Sequence, residues 1–167
     1  EIAPLLERLI GDRKVVVFGS TMEGEDEALL QEIDGLISQH RVFVVIAPRK
    51  PERFELVAGL LATSSLRYVR RSALATPNPE LATAGVLLLD TFGELAKIYR
   101  YATAAFIGGT LVPMGGHNPI EAAASGVPVC FGPSMSNFRA IAQVFLRNEA
   151  AAEVKTAAEA VEFAARM

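Results

Sequence analysis

Cysteine and histidine are scarce in this chain, which has 167 residues, one cysteine and two histidines. One cysteine excludes an internal disulfide. Cys130 lies in an apolar run, where a buried, inert thiol is favoured over a nucleophile. Since no histidine or cysteine is spaced from another as metal ligands are, we expect the chain to hold no metal. There is no Gly-x-Ser-x-Gly elbow either, and a Ser/His/Asp catalytic arrangement has no sequence support.

The chain also has fewer basic than acidic residues. Sixteen Lys and Arg against nineteen Asp and Glu give a formal net charge of −3, and the charges are scattered along the chain. The sequence therefore offers no basic face for nucleic acid and no polybasic patch for a membrane. Its apolar runs are much shorter than the ~20 residues of a spanning helix, and no signal peptide is visible. We expect a soluble chain without an export signal, folded as one domain over residues 1–167.

Short apolar runs alternate with helical stretches. The runs do not alternate with polar residues, which is typical of strands buried on both faces of a parallel sheet. The predicted strands are residues 15–18, 42–47, 66–69, 86–89, 104–107 and 129–131. The predicted helices are residues 26–38, 51–61, 93–101, 119–124, 137–145 and 150–166, after an amphipathic lead-in at 1–12. This order predicts an α/β fold, a three-layer, doubly wound Rossmann-like domain with a parallel sheet of about six strands.

In such a sheet, ligands bind beyond the carboxyl ends of the strands. The loops that follow the predicted strands hold much of the unusual polar and glycine content, at residues 19–25, 48–53, 90–94, 108–118 and 132–137. We therefore expect a composite site built from several of these loops.

The run Gly-Gly-His-Asn-Pro-Ile-Glu at residues 115–121 stands between a strand and a helix and is the clearest functional signal. Asn118 is a suitable N-cap and Pro119 a suitable first helical residue. Free N–H groups from Ile120 onward favour phosphate, and Glu121 is placed to accept hydrogen bonds from sugar hydroxyls. A capping box between Asn118 and Glu121 explains the same residues without any ligand. The local sequence leaves both interpretations open.

Two neighbours in this run have their own expected roles. Gly116 lets the backbone approach a ligand closely. His117 is favoured as a supporting residue or a ligand donor over a catalytic base.

The glycine loop at residues 19–24 excludes two common nucleotide sites. Glu25 and Asp26 stand where a Walker A loop needs Lys and Ser or Thr. Thr21 stands where the dinucleotide fingerprint needs its middle glycine, so a bound NAD is not expected. Ser20 remains a candidate ligand donor, with helix capping as the alternative.

Two further loops supply candidates. Arg49 follows Pro48 at the end of the second predicted strand, and a guanidinium fixed there suits phosphate, although a solvated basic loop is the alternative. In the loop at residues 90–94, the backbone around Phe92 and Gly93 is suited to reading the edge of a base. Here too a capping box, from Thr91 to Glu94, is a local explanation.

Seven segments, read in order, resemble the 3-deoxy-D-manno-octulosonic acid (Kdo) transferases of lipopolysaccharide synthesis. They are residues 17–25 (VFGSTMEGE), 47–54 (APRKPERF), 88–95 (LLDTFGEL), 106–113 (FIGGTLVP), 115–121 (GGHNPIE), 126–129 (GVPV) and 131–133 (FGP). Such enzymes transfer Kdo from CMP-Kdo to a lipid A precursor. They have the GT-B fold, with the active site between two Rossmann-like halves. This chain resembles only the C-terminal half, which binds the donor.

The resemblance implies roles for the candidate residues. CMP would be held by Pro48, Arg49, the turn at residues 92–94 and the run 118–121, with phosphate at the helix start and ribose on Glu121. CMP-Kdo is a substrate in this reading, so no cofactor is expected. Two departures from the family pattern are Met114, where a basic residue is common, and Ala122, where proline often follows the glutamate. Met114 puts contacts with the sugar acid in doubt.

The resemblance also implies what this chain would lack. In the family, the N-terminal half carries the membrane anchor, the lipid acceptor surface and the catalytic carboxylate. No catalytic residue is therefore expected in this chain, and the domain alone should bind nucleotide without catalysis. The whole enzyme would act at the cytoplasmic face of the bacterial inner membrane. Two alternatives remain: a GT-B donor domain for a UDP-sugar, and a Rossmann-like binding module without catalysis.

Overall fold

The computed structural model describes residues 3–74 and 83–167. Within them the strands are β1 (Lys14–Thr21), β2 (Val42–Pro48), β3 (Tyr68–Arg70), β4 (Val86–Leu88), β5 (Ala104–Ile107), β6 (Val129–Phe131) and β7 (Ala151–Glu153). The α-helices are α1 (Ala3–Ile10), α2 (Glu25–His40), α3 (Phe54–Thr63), α4 (Leu95–Ile98), α5 (Ile120–Ala124), α6 (Arg139–Arg147) and α7 (Ala157–Arg166). Short 3₁₀ turns lie at Pro51–Arg53, Arg71–Ala73, Tyr99–Tyr101 and Ser136–Phe138.

The seven described strands form one parallel sheet in the order β3-β4-β2-β1-β5-β6-β7. From β1 the chain builds outward through β2 to β3 and β4, and then returns to place β5 on the other side of β1. The strand order therefore reverses between β1 and β5. In open α/β sheets, the crevice at the carboxyl ends of such strands is the usual ligand site.

The sheet is covered by helices on both faces, because successive strand residues point to opposite sides. In β1, Val15 and Val17 face the layer that contains α1, α4, α5 and α6. Val16 and Phe18 face the layer that contains α2, α3 and α7. Each fully buried Val, Leu, Ile or Phe contributes about 1.5–3 kcal/mol. The predicted α/β class and doubly wound architecture are confirmed.

The C-terminal segment differs from its prediction. A continuous helix was expected over residues 150–166, but Ala151–Glu153 form β7, which pairs in parallel with β6. The helix α7 begins only at Ala157, with the Thr156 hydroxyl accepting a hydrogen bond of 3.1 Å from the Glu159 N–H. Alanine favours helices, but the open edge of β6 offers these residues backbone partners that a local propensity cannot register. The sheet thus gains a seventh strand.

Other boundaries also differ from the predictions, three of them as follows. The segment predicted as a helix over residues 93–101 is the single turn α4 followed by a 3₁₀ turn, and residues 51–53 form a 3₁₀ turn before α3. The strand predicted over residues 66–69 is β3, which starts at Tyr68. In the part of the chain that the structure describes, no helix is long and apolar enough to cross a membrane.

Candidate functional site

A shallow depression lies at the carboxyl ends of β1, β2 and β4. It is lined by Ser20, Ala47, Pro48, Arg49, Phe54, Leu89, Thr91, Phe92, Gly93 and Leu95. Five of the predicted site residues meet here, although they come from three separate loops. The depression holds about 90 Å³, whereas pockets that enclose a whole small ligand hold roughly 300–1,000 Å³. It is therefore suited to one part of a ligand rather than all of it.

Ser20 has an unusual backbone conformation at this site. Its φ is +57°, in the left-handed region, and the register between β1 and β2 shifts between Gly19 and Thr21. Such a conformation costs of order 1–3 kcal/mol in a residue other than glycine and is more frequent at functional sites than elsewhere. The bulge ends the regular pairing of β1 and turns Ser20 into the depression.

Arg49 lies at the rim with an exposed side chain. Its backbone N–H donates a 2.9 Å hydrogen bond to the Thr21 carbonyl, which ties the loop after β2 to the end of β1. Among the described residues, its guanidinium forms no ion pair. The backbone is thus fixed while the charged group remains available to an anion.

Phe92 is the most exposed large apolar side chain of the depression, at 68%. Its ring lies 5.9 Å from that of Phe54, tilted by 50°. The adjacent Gly93 has φ +73°, a conformation that a residue with a Cβ adopts only with strain. The turn therefore presents an aromatic surface and an open stretch of backbone to solvent.

Glu94 is committed to contacts within the protein. Its carboxylate accepts a hydrogen bond from the Thr91 hydroxyl and forms a 2.9 Å ion pair with Arg71. Burial acts to raise the pKa of Glu94, but these contacts outweigh it and the pKa is lowered. The capping box predicted from Thr91 to Glu94 is absent because α4 begins at Leu95, so the two side chains bond to each other instead. Only the backbone of Glu94 is left for a ligand.

The helix after β5 begins at Ile120, one residue later than predicted, so its N-cap residue is Pro119 and not Asn118. The side-chain amide oxygen of Asn118 nevertheless accepts a 3.0 Å hydrogen bond from the Ile120 N–H. The Ile120 N–H is therefore occupied, which corrects the expectation that it was free for phosphate. α5 has only five residues, so its dipole is also small. The reciprocal bond of a capping box, from the residue 118 backbone to Glu121, is not formed in this described segment.

Glu121 is exposed, and its position can be judged from Tyr99. The pKa of the Tyr99 hydroxyl is raised, first by burial and then by the negative charge of Glu121. That hydroxyl abuts Gly19, where an added Cβ would lie 2.2 Å from it. The helix α5, which carries Glu121, packs against the turn at Tyr99–Tyr101 that holds this hydroxyl, so Glu121 lies near the end of β1. It is separate from the depression around Arg49 and Phe92.

Gly116 has a packing role, and the approach of its backbone to a ligand stays a prediction. Gly115 and Gly116 are buried with φ values of +79° and +78°. A Cβ on Gly116 would lie 2.6 Å from the Met135 sulfur, and one on Gly115 would lie 2.6 Å from the Asn137 amide nitrogen. Both glycines let this loop lie flat against the loop that follows β6.

His117 supports the loop. Its Nδ1 lies 2.8 Å from the carbonyl oxygen of Gly108, and because a carbonyl only accepts, Nδ1 carries the proton. The ring thus ties residues 115–121 to the end of β5. This placement agrees with a supporting role.

The sequence analysis missed the internal contacts of three buried carboxylates. Glu25 accepts four backbone N–H groups, and Asp26 forms a 2.8 Å ion pair with Arg53. Asp90 accepts bonds from the Ser72 N–H and hydroxyl and from Arg70, which is 2.7 Å away. For Asp90 the available signal was an acidic residue directly after a predicted buried strand, whereas Glu25 and Asp26 stand at a helix start, where acidic residues are common. The described residues contain no group of His, Cys, Asp and Glu arranged to hold a metal ion.

Comparison with known proteins identifies relatives. The chain is 37% identical over 152 residues to the 3-deoxy-D-manno-octulosonic acid transferase of Haemophilus influenzae, spanning 90% of this chain and 35% of that protein. It is 37% identical over 161 residues to the transferase of the same name from Bordetella pertussis, spanning 93% of this chain and 37% of that protein. The chain therefore spans about a third of the length of these relatives. No protein-family model matches it.

Solved structures agree with this relationship. The C-terminal CMP-Kdo binding domain of WaaA from Acinetobacter baumannii superposes with a TM-score of 0.85 at 28% identity, covering 98% of this chain and 88% of that one. The alpha,alpha-trehalose 6-phosphate synthase of Burkholderia multivorans, with a TM-score of 0.58 at 16% identity, shares the fold alone. In sequence and in fold, the chain is therefore homologous to one domain of the 3-deoxy-D-manno-octulosonic acid transferases.

Proposed function

We propose that this chain is the donor-binding domain of a glycosyltransferase that takes Kdo from CMP-Kdo. The observation that carries the proposal is the superposition on a CMP-Kdo binding domain over 98% of the chain. The depression at the carboxyl ends of β1, β2 and β4 lies where that fold class places its ligands. The whole enzyme would transfer Kdo to a lipid A precursor and would have the GT-B fold.

The described geometry suggests how the nucleotide would lie. The cytosine would stack against exposed Phe92 and read the backbone at Gly93 and Glu94. Arg49, which follows β2 and lines the same depression, would contact the phosphate. The ribose, which joins the base to the phosphate, would lie over the end of β1 between them, with its hydroxyls directed toward Glu121, whose carboxylate is suited to accepting bonds from them. Ser20, at the end of β1, lines the same depression and offers a hydroxyl donor.

This domain would act on the leaving group. When the bond from the anomeric carbon of Kdo to the phosphate breaks, negative charge develops on CMP, and a positioned guanidinium stabilises it. We assign no catalytic base to this chain. The base, the acceptor surface and membrane association at the cytoplasmic face of the inner membrane would belong to the remaining two thirds of the enzyme. The reaction as proposed requires no cofactor.

Calorimetric titration of this chain with CMP and with UMP tests the proposal. We expect binding of CMP in preference to UMP, and Arg49→Ala should weaken it about ten-fold or more, since a hydrogen bond to a charged group contributes ~1.5–3 kcal/mol. Lys50→Ala is the matched control, because Lys50 is the adjacent exposed cation but lines a different groove, with Met114 and Leu56. Equal affinity for UMP would instead favour a UDP-sugar donor. No binding of either nucleotide would favour a module without this function.

A further inference from the structure

The side chain of Glu25 is buried among backbone N–H groups near the carboxyl ends of β1 and β5, where the strand order reverses. It is the first residue of α2 and is 1% exposed. One carboxylate oxygen accepts the N–H groups of Met22 at 3.0 Å and Gly109 at 2.7 Å. The other accepts those of Thr110 and Leu111, both at 2.9 Å. Four backbone donors therefore converge on one buried side chain.

Three of these donors come from successive residues of the loop that follows β5. A concave run of backbone N–H groups of this kind is a typical anion-binding nest. In Rossmann-like folds, the crevice beside it is where phosphate usually binds. Here the nest already contains a negative charge that belongs to the protein. A phosphate of a ligand would meet that carboxylate in a site with little water, and Coulomb repulsion there is strong.

The loop held by Glu25 is bonded directly to the predicted site residues. The Gly116 N–H donates a 2.8 Å hydrogen bond to the Gly109 carbonyl. His117 is bonded to the Gly108 carbonyl at 2.8 Å. A Cβ on Gly109 would lie 2.7 Å from the His117 ring, so the two segments are in tight contact. A shift of the Glu25 nest would therefore displace the run 116–121.

We infer that Glu25 is a positioning residue of the donor site, which acts as an internal anion. Its carboxylate fixes the loop after β5, and with it the run that leads to Glu121. It also keeps the phosphate of the ligand out of the nest and directs it to the Arg49 side of the crevice. This inference rests on the proposed function, because it concerns where the phosphate of a bound nucleotide lies.

The bonding pattern distinguishes charge from shape. In the wild type, each carboxylate oxygen of Glu25 accepts two N–H groups. Glu25→Gln keeps the size of the side chain but replaces one of these oxygens with an NH₂ group. Whichever way the amide points, its NH₂ group faces two donors, so two of the four bonds are lost. Glu25→Asp is shorter but keeps the charge. An internal anion predicts that Asp is tolerated better than Gln, whereas a space-filling role predicts the reverse order.

The experiment measures CMP affinity by calorimetry and thermal stability for the Asp, Gln and Ala variants at position 25. Glu23→Gln is the control, because Glu23 is an exposed carboxylate only two residues away. We expect Glu25→Ala and Glu25→Gln to bind CMP about ten-fold or more weakly, and Glu25→Asp to bind better than Glu25→Gln. Formate, a carboxylate small enough for the emptied nest, should restore affinity and stability to Glu25→Ala alone.

Two results would overturn the inference. One is CMP affinity equal to wild type in folded Glu25→Gln and Glu25→Ala. The other is an order in which Gln is tolerated better than Asp, with no effect of formate. If the wild-type chain binds no CMP at all, the proposed function fails instead. The effect of formate on the melting temperature of Glu25→Ala then still decides whether the nest holds an internal anion.

Discussion

Gly108→Ala is the substitution that most directly tests the junction of β1 and β5. A Cβ at this position would lie 2.3 Å from the carbonyl oxygen of Ser20 and 2.6 Å from the Cα of Thr21. All of the contacted atoms belong to the backbone, so no rotamer change relieves them. The Gly108 N–H also donates a 2.7 Å hydrogen bond to the Gly19 carbonyl, which holds the two segments together. The methyl group must therefore push the ends of the two strands apart.

The loss of stability in Gly108→Ala can be estimated from the known cost of overpacking. Extra methyl groups in a tightly packed site typically cost about 1–3 kcal/mol, and the lost bond to Gly19 adds to this. In a chain of this size, 1 kcal/mol shifts the melting temperature by about 2–4 °C. We therefore expect the melting temperature of Gly108→Ala to lie roughly 2–12 °C, or slightly more, below that of the wild type. Because Ser20 lines the depression, CMP affinity should decrease as well.

Gly59→Ala is the matched control for a thermal melt followed by circular dichroism. Gly59 lies in α3, and a Cβ there meets no atom within 4 Å. The same chemical change should therefore stabilise the helix by about 0.5–1 kcal/mol and raise the melting temperature. The melting temperatures of the two variants should thus shift in opposite directions from that of the wild type. A Gly108→Ala protein that melts with or above the wild type would refute the reasoning.

Two further predictions concern the buried carboxylates. Asp26→Ala removes the fully buried one of the two carboxylate partners of Arg53, which is 6% exposed, and should cost about 3 kcal/mol in chemical denaturation. Asp12→Ala breaks an exposed pair and should cost less than about 1 kcal/mol. A small effect at Asp26 would contradict the assignment of a buried pair. Burial acts to raise the pKa of Asp90, but bonds from Ser72 and Arg70 lower it overall. A lowered carboxyl pKa contributes stability above the unfolded value, near 3.9, and loses it as the pH falls through the folded value. The stability advantage of wild type over Asp90→Asn should therefore be full at pH 7 and shrink below about pH 4, and an advantage independent of pH would refute it.

Six of the seven described strands could be predicted because the signal is local. Residues 42–47 are apolar without alternation, and only a strand covered on both faces buries them all. β2 is indeed buried along its whole length. The sequence also indicated that the Asn118 side chain bonds an N–H group at the start of α5, because that bond spans only two residues.

β7 was missed for the opposite reason. Residues 151–153 are Ala-Ala-Glu, which by themselves favour a helix. They extend only because β6 provides parallel backbone partners, Val129 opposite Ala151 and Phe131 opposite Glu153.

The sequence alone determined the fold class, the family resemblance and the loops in which the site lies. Only the tertiary structure decided which polar groups remain available. Glu25 and Glu94 are both acidic residues at helix starts, and nothing local shows that their carboxylates are already bonded within the protein. Three of the four donors to Glu25 lie 84 to 86 residues further along the chain. The burial and the partners of a charged group depend on such distant segments. Only the folded structure therefore shows that the Arg49 guanidinium is exposed while the Glu25 carboxylate is bonded within the protein.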